Sequence, residues 1–173
     1  MIAAAMTVAV ERAPVAASDE VVLRPATVAD ALQLHRWNFA HDVRAQAIDA
    51  RPVSFAAHQR WLARRLECTA LPFWIITQDD LDLGTIRIEA GDANIATVAI
   101  ALDPRARGRG VGRQAIAAAV RAWGLPLRAE ILASNLASLR AFAAAGFRAD
   151  GSRPLADGRL LIITRWRPID AAS

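Results

Sequence analysis

The sequence predicts an α/β sandwich: a central sheet of mixed strand direction with helices packed on it. Apolar residues recur at helical spacing within 28–38, 55–67 and 112–123. Short apolar or alternating runs at 73–77, 83–89, 95–102, 127–132 and 160–166 read as strands. Cap and turn residues fall at the junctions, and the order passes from helices to a strand meander and then to alternating helices and strands, which is the pattern of layered α/β architecture.

Each element follows from local signals. Residues 1–19 read as a flexible tail, and 20–168 as a single domain. Residues 21–24 form a short strand closed by Pro25. Thr27 caps a helix to about Asn38, residues 39–53 are mixed, and Ser54 caps a helix over 55–67. The strands 73–77, 83–89 and 95–102 read as an antiparallel meander, with turns at Asp79-Asp80 and at 91–93. A helix over 112–123 stops at Gly124 and Pro126. A strand at 127–132, a helix at 136–145 ended by Gly146, a strand at 147–150 and a last strand at 160–166 complete the order.

Composition narrows the chemistry. Of 173 residues, 40 are alanine, which accounts for much of the 54% apolar content. All 21 basic residues are arginine, and there is no tyrosine. Lysine Schiff bases, a phosphate-loop lysine and a tyrosine acid are therefore excluded. The net charge of +4 is modest and mixed, so nucleic acid is not an expected partner. No apolar run approaches the ~20 residues of a membrane span, and the start lacks a basic leader, so the expected location is the cytoplasm. The single Cys68 reads as a packed helical residue. His35, His41 and His58 do not fall at metal-ligand spacing, so no metal is expected.

The informative stretch is Leu102-Asp-Pro-Arg-Ala-Arg107-Gly108-Arg109-Gly110-Val111-Gly112-Arg113, at a strand-to-helix junction. Glycines let the backbone turn tightly and approach a ligand. The free N–H groups and dipole of the following helix attract anions, and three arginines add charge, so the loop suits a phosphate or pyrophosphate. It lacks the lysine of a Walker loop and the spacing of a dinucleotide-binding fingerprint.

Arg107-x-x-Gly110-x-Gly112, with Leu102-x-Pro104 before it, resembles the acyl-CoA signature of the GNAT N-acetyltransferases. Asn135-x-x-Ser138 and the closing Gly146-Phe147 resemble that family's second motif. The resemblance implies the GNAT fold: a mixed, mostly antiparallel sheet with helices on both faces, splayed between the strands at 95–102 and 127–132. It implies acetyl-CoA as cofactor, with its pantetheine arm against the backbone of Ile100, Ala101 and Leu102. The pyrophosphate would rest on Arg107, Gly108, Arg109, Gly110, Val111, Gly112 and Arg113. Asn135, Ser138 and Phe142 would flank the arm, with Asn135 also a helix cap. Many members carry a tyrosine acid where this chain has Phe142, which leaves Ser138 or a water as substitute. Glu89 and His41 are the candidate general bases. His58 reads as a packing or capping residue.

Trp37-Asn38, Arg44 and Ser54-x-x-x-His58-x-x-Trp61 resemble the subgroup acting on nucleotide-linked amino sugars, although Arg36-Trp37 is swapped relative to that pattern. The resemblance implies Trp37, Asn38, Arg44 and Arg87 as acceptor-binding residues; core packing is the alternative for Trp37 and Trp61. Three readings stand open. The first is an N-acetyltransferase for a small-molecule primary amine, with a nucleotide-linked amino sugar as the favoured acceptor. The second is a protein N-terminal acetyltransferase, which predicts an open groove between segments near 38–53 and 150–160. The third is a non-catalytic acyl-CoA-binding module. An edge strand or Trp166 offers a surface for a homodimer.

Overall fold

The structure is a computed structural model that describes residues 20–49, 51–91 and 95–168. The predicted tail and the turn residues Asp92 and Ala93 lie outside the described residues. The strands are β1 (Val22–Pro25), β2 (Phe73–Gln78), β3 (Leu81–Glu89), β4 (Ala96–Leu102), β5 (Leu127–Leu132), β6 (Arg148–Pro154) and β7 (Leu160–Trp166). They form one sheet in the order β1-β2-β3-β4-β5-β7-β6, antiparallel except where β4 meets β5. The helices are α1 (Ala31–Phe39), α2 (His41–Ala45), α3 (Phe55–Glu67), α4 (Val111–Trp123) and α5 (Leu136–Ala144).

Local sequence explains most boundaries. Ser54 accepts the Ala57 N–H at 3.3 Å, which starts α3 at the predicted residue. The helix predicted from Val28 begins as a 3-10 turn over Val28–Asp30 and becomes α-helical at Ala31. The Asp79-Asp80 turn bends with φ of 49° and 60°, a conformation aspartate tolerates better than most residues. Two expectations are corrected. The mixed stretch 39–53 contains α2, and β6 runs to Pro154, four residues past the predicted end at 150. Every residue of β6 is exposed, so it carries no apolar alternation to reveal its length.

The sheet separates two cores. On one face Ile86, Ile88, Val98, Leu127, Ala129 and Ile131 pack against Val111, Ala115, Ile116 and Ala119 of α4 and Phe142 of α5. On the other, Phe73 and Ile75 pack against Leu34 and Trp37 of α1 and Leu62 of α3. Cys68 does not pack as predicted: it is exposed at the C-cap of α3, where the chain leaves the helix. Among the described residues no helix is long and apolar enough to cross a membrane.

The feature that positions the site is a splay. β4 and β5 pair only at Ala96 with Leu127 and Thr97 with Arg128. β4 stays paired to β3 through Leu102, so the two central strands diverge over 98–102.

Candidate active site

Backbone alternation decides what the splay exposes. The Asp103 N–H donates to Leu83 C=O at 2.9 Å, and the Ala101 carbonyl lies where a Cβ on Gly84 would meet it at 2.4 Å. Asp103 and Ala101 therefore turn toward β3, and the alternate residues Ile100 and Leu102 turn their N–H and C=O groups into the gap. Of the three residues predicted to pair with the pantetheine arm, Ile100 and Leu102 have the required backbone direction. Ala101 does not.

Beyond β4, Pro104–Ala106 forms a 3-10 turn capped by Asp103. Gly108 and Gly110 take φ of 72° and 82°, a left-handed conformation costly for a side chain. No heavy atom lies within 4 Å of a Cβ built at either, so both sit under open space. Gly110 is the N-cap of α4, and the first bond into that helix runs from Gln114 N–H to Gly110 C=O at 3.1 Å. The N–H groups of Val111, Gly112 and Arg113 precede that bond and point out of the helix end. Gly112 serves packing: its Cβ would stand 3.2 Å from Leu102 Cδ1. Arg107, Arg109 and Arg113 are exposed around these donors. An anion is well matched to such a helix start.

Asn135 caps α5, its side chain accepting the Ser138 N–H at 3.1 Å, and Ser138 is half-buried. Phe142 is buried and meets Phe147 edge-on with ring centroids 5.0 Å apart. It belongs to the core formed with α4.

Across the sheet, Arg87 gathers predicted residues. Its Nε donates to Glu89 Oε1 at 2.7 Å, its Nη1 to Asn38 Oδ1 at 3.5 Å, and its guanidinium lies 5.9 Å from the Trp61 ring centre. Glu89 sits opposite Thr97, the last β4 residue paired to β5. Glu89 thus lies beside β4 at the level where β4 and β5 begin to part. His58 is buried and stacked on Trp61, where burial lowers its pKa below the usual histidine range. Arg44 lies 5.1 Å over Phe39 and donates to Arg51 C=O, and His41 is exposed at the start of α2. Neither joins the Arg87 cluster.

Trp37 corrects the sequence reading. It is 3% exposed and presents no face to a substrate. Its Nε1 donates to Asp103 Oδ2 at 3.1 Å. The Arg105 N–H and guanidinium also donate to Asp103, and Arg105 above all holds that carboxyl well below the usual carboxylate range. A buried aspartate thus fixes the start of the glycine loop to α1.

Sequence reasoning missed three further residues. Asp103 stood inside a quoted motif, and an aspartate before proline signals a cap. Asp42 accepts from Arg107 Nη1, and that guanidinium depresses the Asp42 pKa. Arg159, in the turn between β6 and β7, donates to Ala47 C=O at 2.8 Å and Ile48 C=O at 2.9 Å. It bridges the segment after α2 and the β6–β7 turn. No local signal marks a pair that far apart.

Comparison with known proteins adds the following. The pattern of the acetyltransferase (GNAT) domain family matches residues 20–148. No curated protein matches in sequence. Among solved structures, AAC(6')-Ib in complex with paromomycin and acetyl-CoA is similar at TM-score 0.74 and 20% identity, covering 90% of this chain and 99% of that one. The spermidine N-acetyltransferase of Vibrio cholerae, with CoA and spermine, is similar at TM-score 0.77 and 13% identity, covering 87% and 96%. The ribosomal L7/L12 alpha-N-protein acetyltransferase RimL, with CoA, is similar at TM-score 0.76 and 16% identity, covering 90% and 98%.

Proposed function

Because this chain belongs to the GNAT acetyltransferase family, we propose that it transfers the acetyl group of acetyl-CoA directly to the primary amine of a small molecule, with amino sugars the favoured class. It is an acetyl-CoA-dependent N-acetyltransferase; the acceptor and the residue roles are what we infer.

The residues present fit the cofactor. The arm would pair with the gap-facing backbone of Ile100 and Leu102, as an added strand would. Its pyrophosphate would take the N–H groups of Val111 to Arg113, with arginine charge around them. Bound there, acetyl-CoA supplies the activated acetyl thioester. The chain's part is to align amine and thioester, to receive the proton of the amine and to offer a backbone N–H to charge developing on the carbonyl oxygen. Glu89 is our choice for the proton acceptor, held in place by Arg87. His41, exposed on α2, is the runner-up. Phe142 has no proton to give, so the departing sulfur is served by Ser138 or water.

One observation carries the choice of acceptor. A protein acetyltransferase needs a groove open between the segment near 38–53 and the β6–β7 turn. Arg159 ties those segments through two carbonyls, at 2.8 and 2.9 Å. A closed cleft suits a compact amine. AAC(6')-Ib, among the similar folds, is an aminoglycoside acetyltransferase, an example of a small-molecule acceptor on this fold.

The test is an acceptor screen read by free-thiol release, with amino sugars and their nucleotides, polyamines, amino acids and N-terminal peptides. Turnover of small amines with peptides inactive is the expected result. Peptides outpacing every small amine would overturn the small-molecule reading, and coenzyme A binding without turnover on any amine would favour a non-catalytic module.

A further inference from the structure

Two side-chain ties join the segment carrying α1 and α2 to the loop after β4, and they differ in kind. Trp37 to Asp103 is buried on both sides. Asp42 to Arg107 is exposed, with 51% and 40% of the side chains accessible. A buried tie is permanent; an exposed ion pair is weak enough to exchange partners.

Arg107 is fully engaged. Its Nε and Nη2 donate to Leu102 C=O at 3.3 and 3.1 Å, while Nη1 donates to Asp42. Leu102 C=O is a gap-facing carbonyl past the last β4–β5 pair, and a bare strand-edge carbonyl takes whatever donor is near. The guanidinium therefore sits on an acceptor that the cofactor's arm would need, and its charge is matched by a carboxylate where the cofactor would bring phosphate.

We propose that Asp42 is a positioning residue that parks Arg107 across Leu102 C=O and so sets the affinity for cofactor. This rests on the acetyl-CoA reading above. An incoming cofactor exchanges both partners at once: the arm takes Leu102 C=O and the phosphate takes the guanidinium. Helix α2 then loses its hold on the loop, while residues 47 and 48 remain tied to the β6–β7 turn through Arg159. Cofactor arrival is thereby communicated to the acceptor wall.

The experiment is calorimetric titration with two probes, coenzyme A and S-acetylpantetheine, the second neutral and without phosphate. Asp42→Asn is expected to tighten both by about threefold, the scale of an exposed ion pair. Asp42→Glu restores wild-type values. In an Arg107→Gln background, Asp42→Asn is expected to change neither. A gain for coenzyme A alone, retained in that background, is a general charge effect and overturns the proposal, as does no change for either probe. Wild-type protein that binds no coenzyme A overturns the cofactor reading and this inference together. Wild-type binding weakened by Arg107→Gln but indifferent to Asp42 overturns the inference alone.

Discussion

From Ile100 to Arg113 the chain presents backbone to the proposed cofactor site: two gap-facing strand residues, two left-handed glycines and three helix N–H groups, all within fourteen consecutive positions. From Trp37 to Arg51 it works by side chains whose partners lie far away. Trp37 reaches Asp103, Asp42 reaches Arg107, and Ala47 and Ile48 are held by Arg159. In the proposed function the first region would recognise a constant group, a pyrophosphate and its arm, and its geometry is local. The second would shape the acceptor cleft, and its geometry exists only once distant segments meet. Local backbone recognition survives changes elsewhere in a sequence, whereas side-chain ties of long reach can be rewired one pair at a time.

The largest expected effect comes where the regions meet. Glu89→Gln should lower kcat by about 100-fold, the scale of losing a general base, while coenzyme A affinity stays unchanged. Steady-state kinetics beside calorimetry would show it, and an unchanged kcat removes Glu89 from the mechanism.

Next is the buried tie. Trp37→Phe keeps one aromatic ring, and deletes the indole N–H to Asp103 together with the five-membered ring that carries it. The expected cost is about 1–2 kcal/mol, seen as a Tm lower by roughly 3–6 °C, with a raised KM for acetyl-CoA because the loop loses its anchor. An unchanged Tm would show that Asp103 is satisfied by Arg105 alone. The acid side carries a matching sign. The Asp103 pKa is depressed in the fold, so its contribution is present above its unfolded value, about 3.9, and is lost as pH falls toward the folded value. The stability gap between wild type and Asp103→Asn should therefore narrow below about pH 4.

The smallest effect is at the cleft. Arg159→Ala removes two hydrogen bonds to carbonyls on the facing segment. It should raise KM for a small amine severalfold and leave coenzyme A affinity alone, and any new activity on peptides would show that the bridge closes the groove.

These contrasts also explain what the sequence could say. Ser54, Gly110, Gly124 and Gly146 punctuate the chain by local chemistry, so α3, α4 and the cofactor loop were legible without a structure. The splay was legible only through resemblance, since nothing in 95–102 itself announces where pairing with 127–132 stops. Helix α2 is five residues long with no side-chain cap, and β6 has no buried face, so neither left a periodic trace. Trp37 was misread as a substrate platform because a tryptophan near an acceptor segment looks the same whether it stacks on ligand or seals a core. Only Asp103, 66 residues away, decides between them.

The central claim is that the glycine loop and the splay beside it hold the cofactor. Calorimetry of wild type and Gly110→Trp with coenzyme A tests it most directly. A Cβ at Gly110 meets nothing within 4 Å, so the indole would stand in the space assigned to the pyrophosphate, with the strain of a left-handed side chain confined to the loop. Binding in the wild type, lost by more than about 100-fold in a variant that still melts cooperatively, is the predicted result. Equal affinity in both proteins would contradict it.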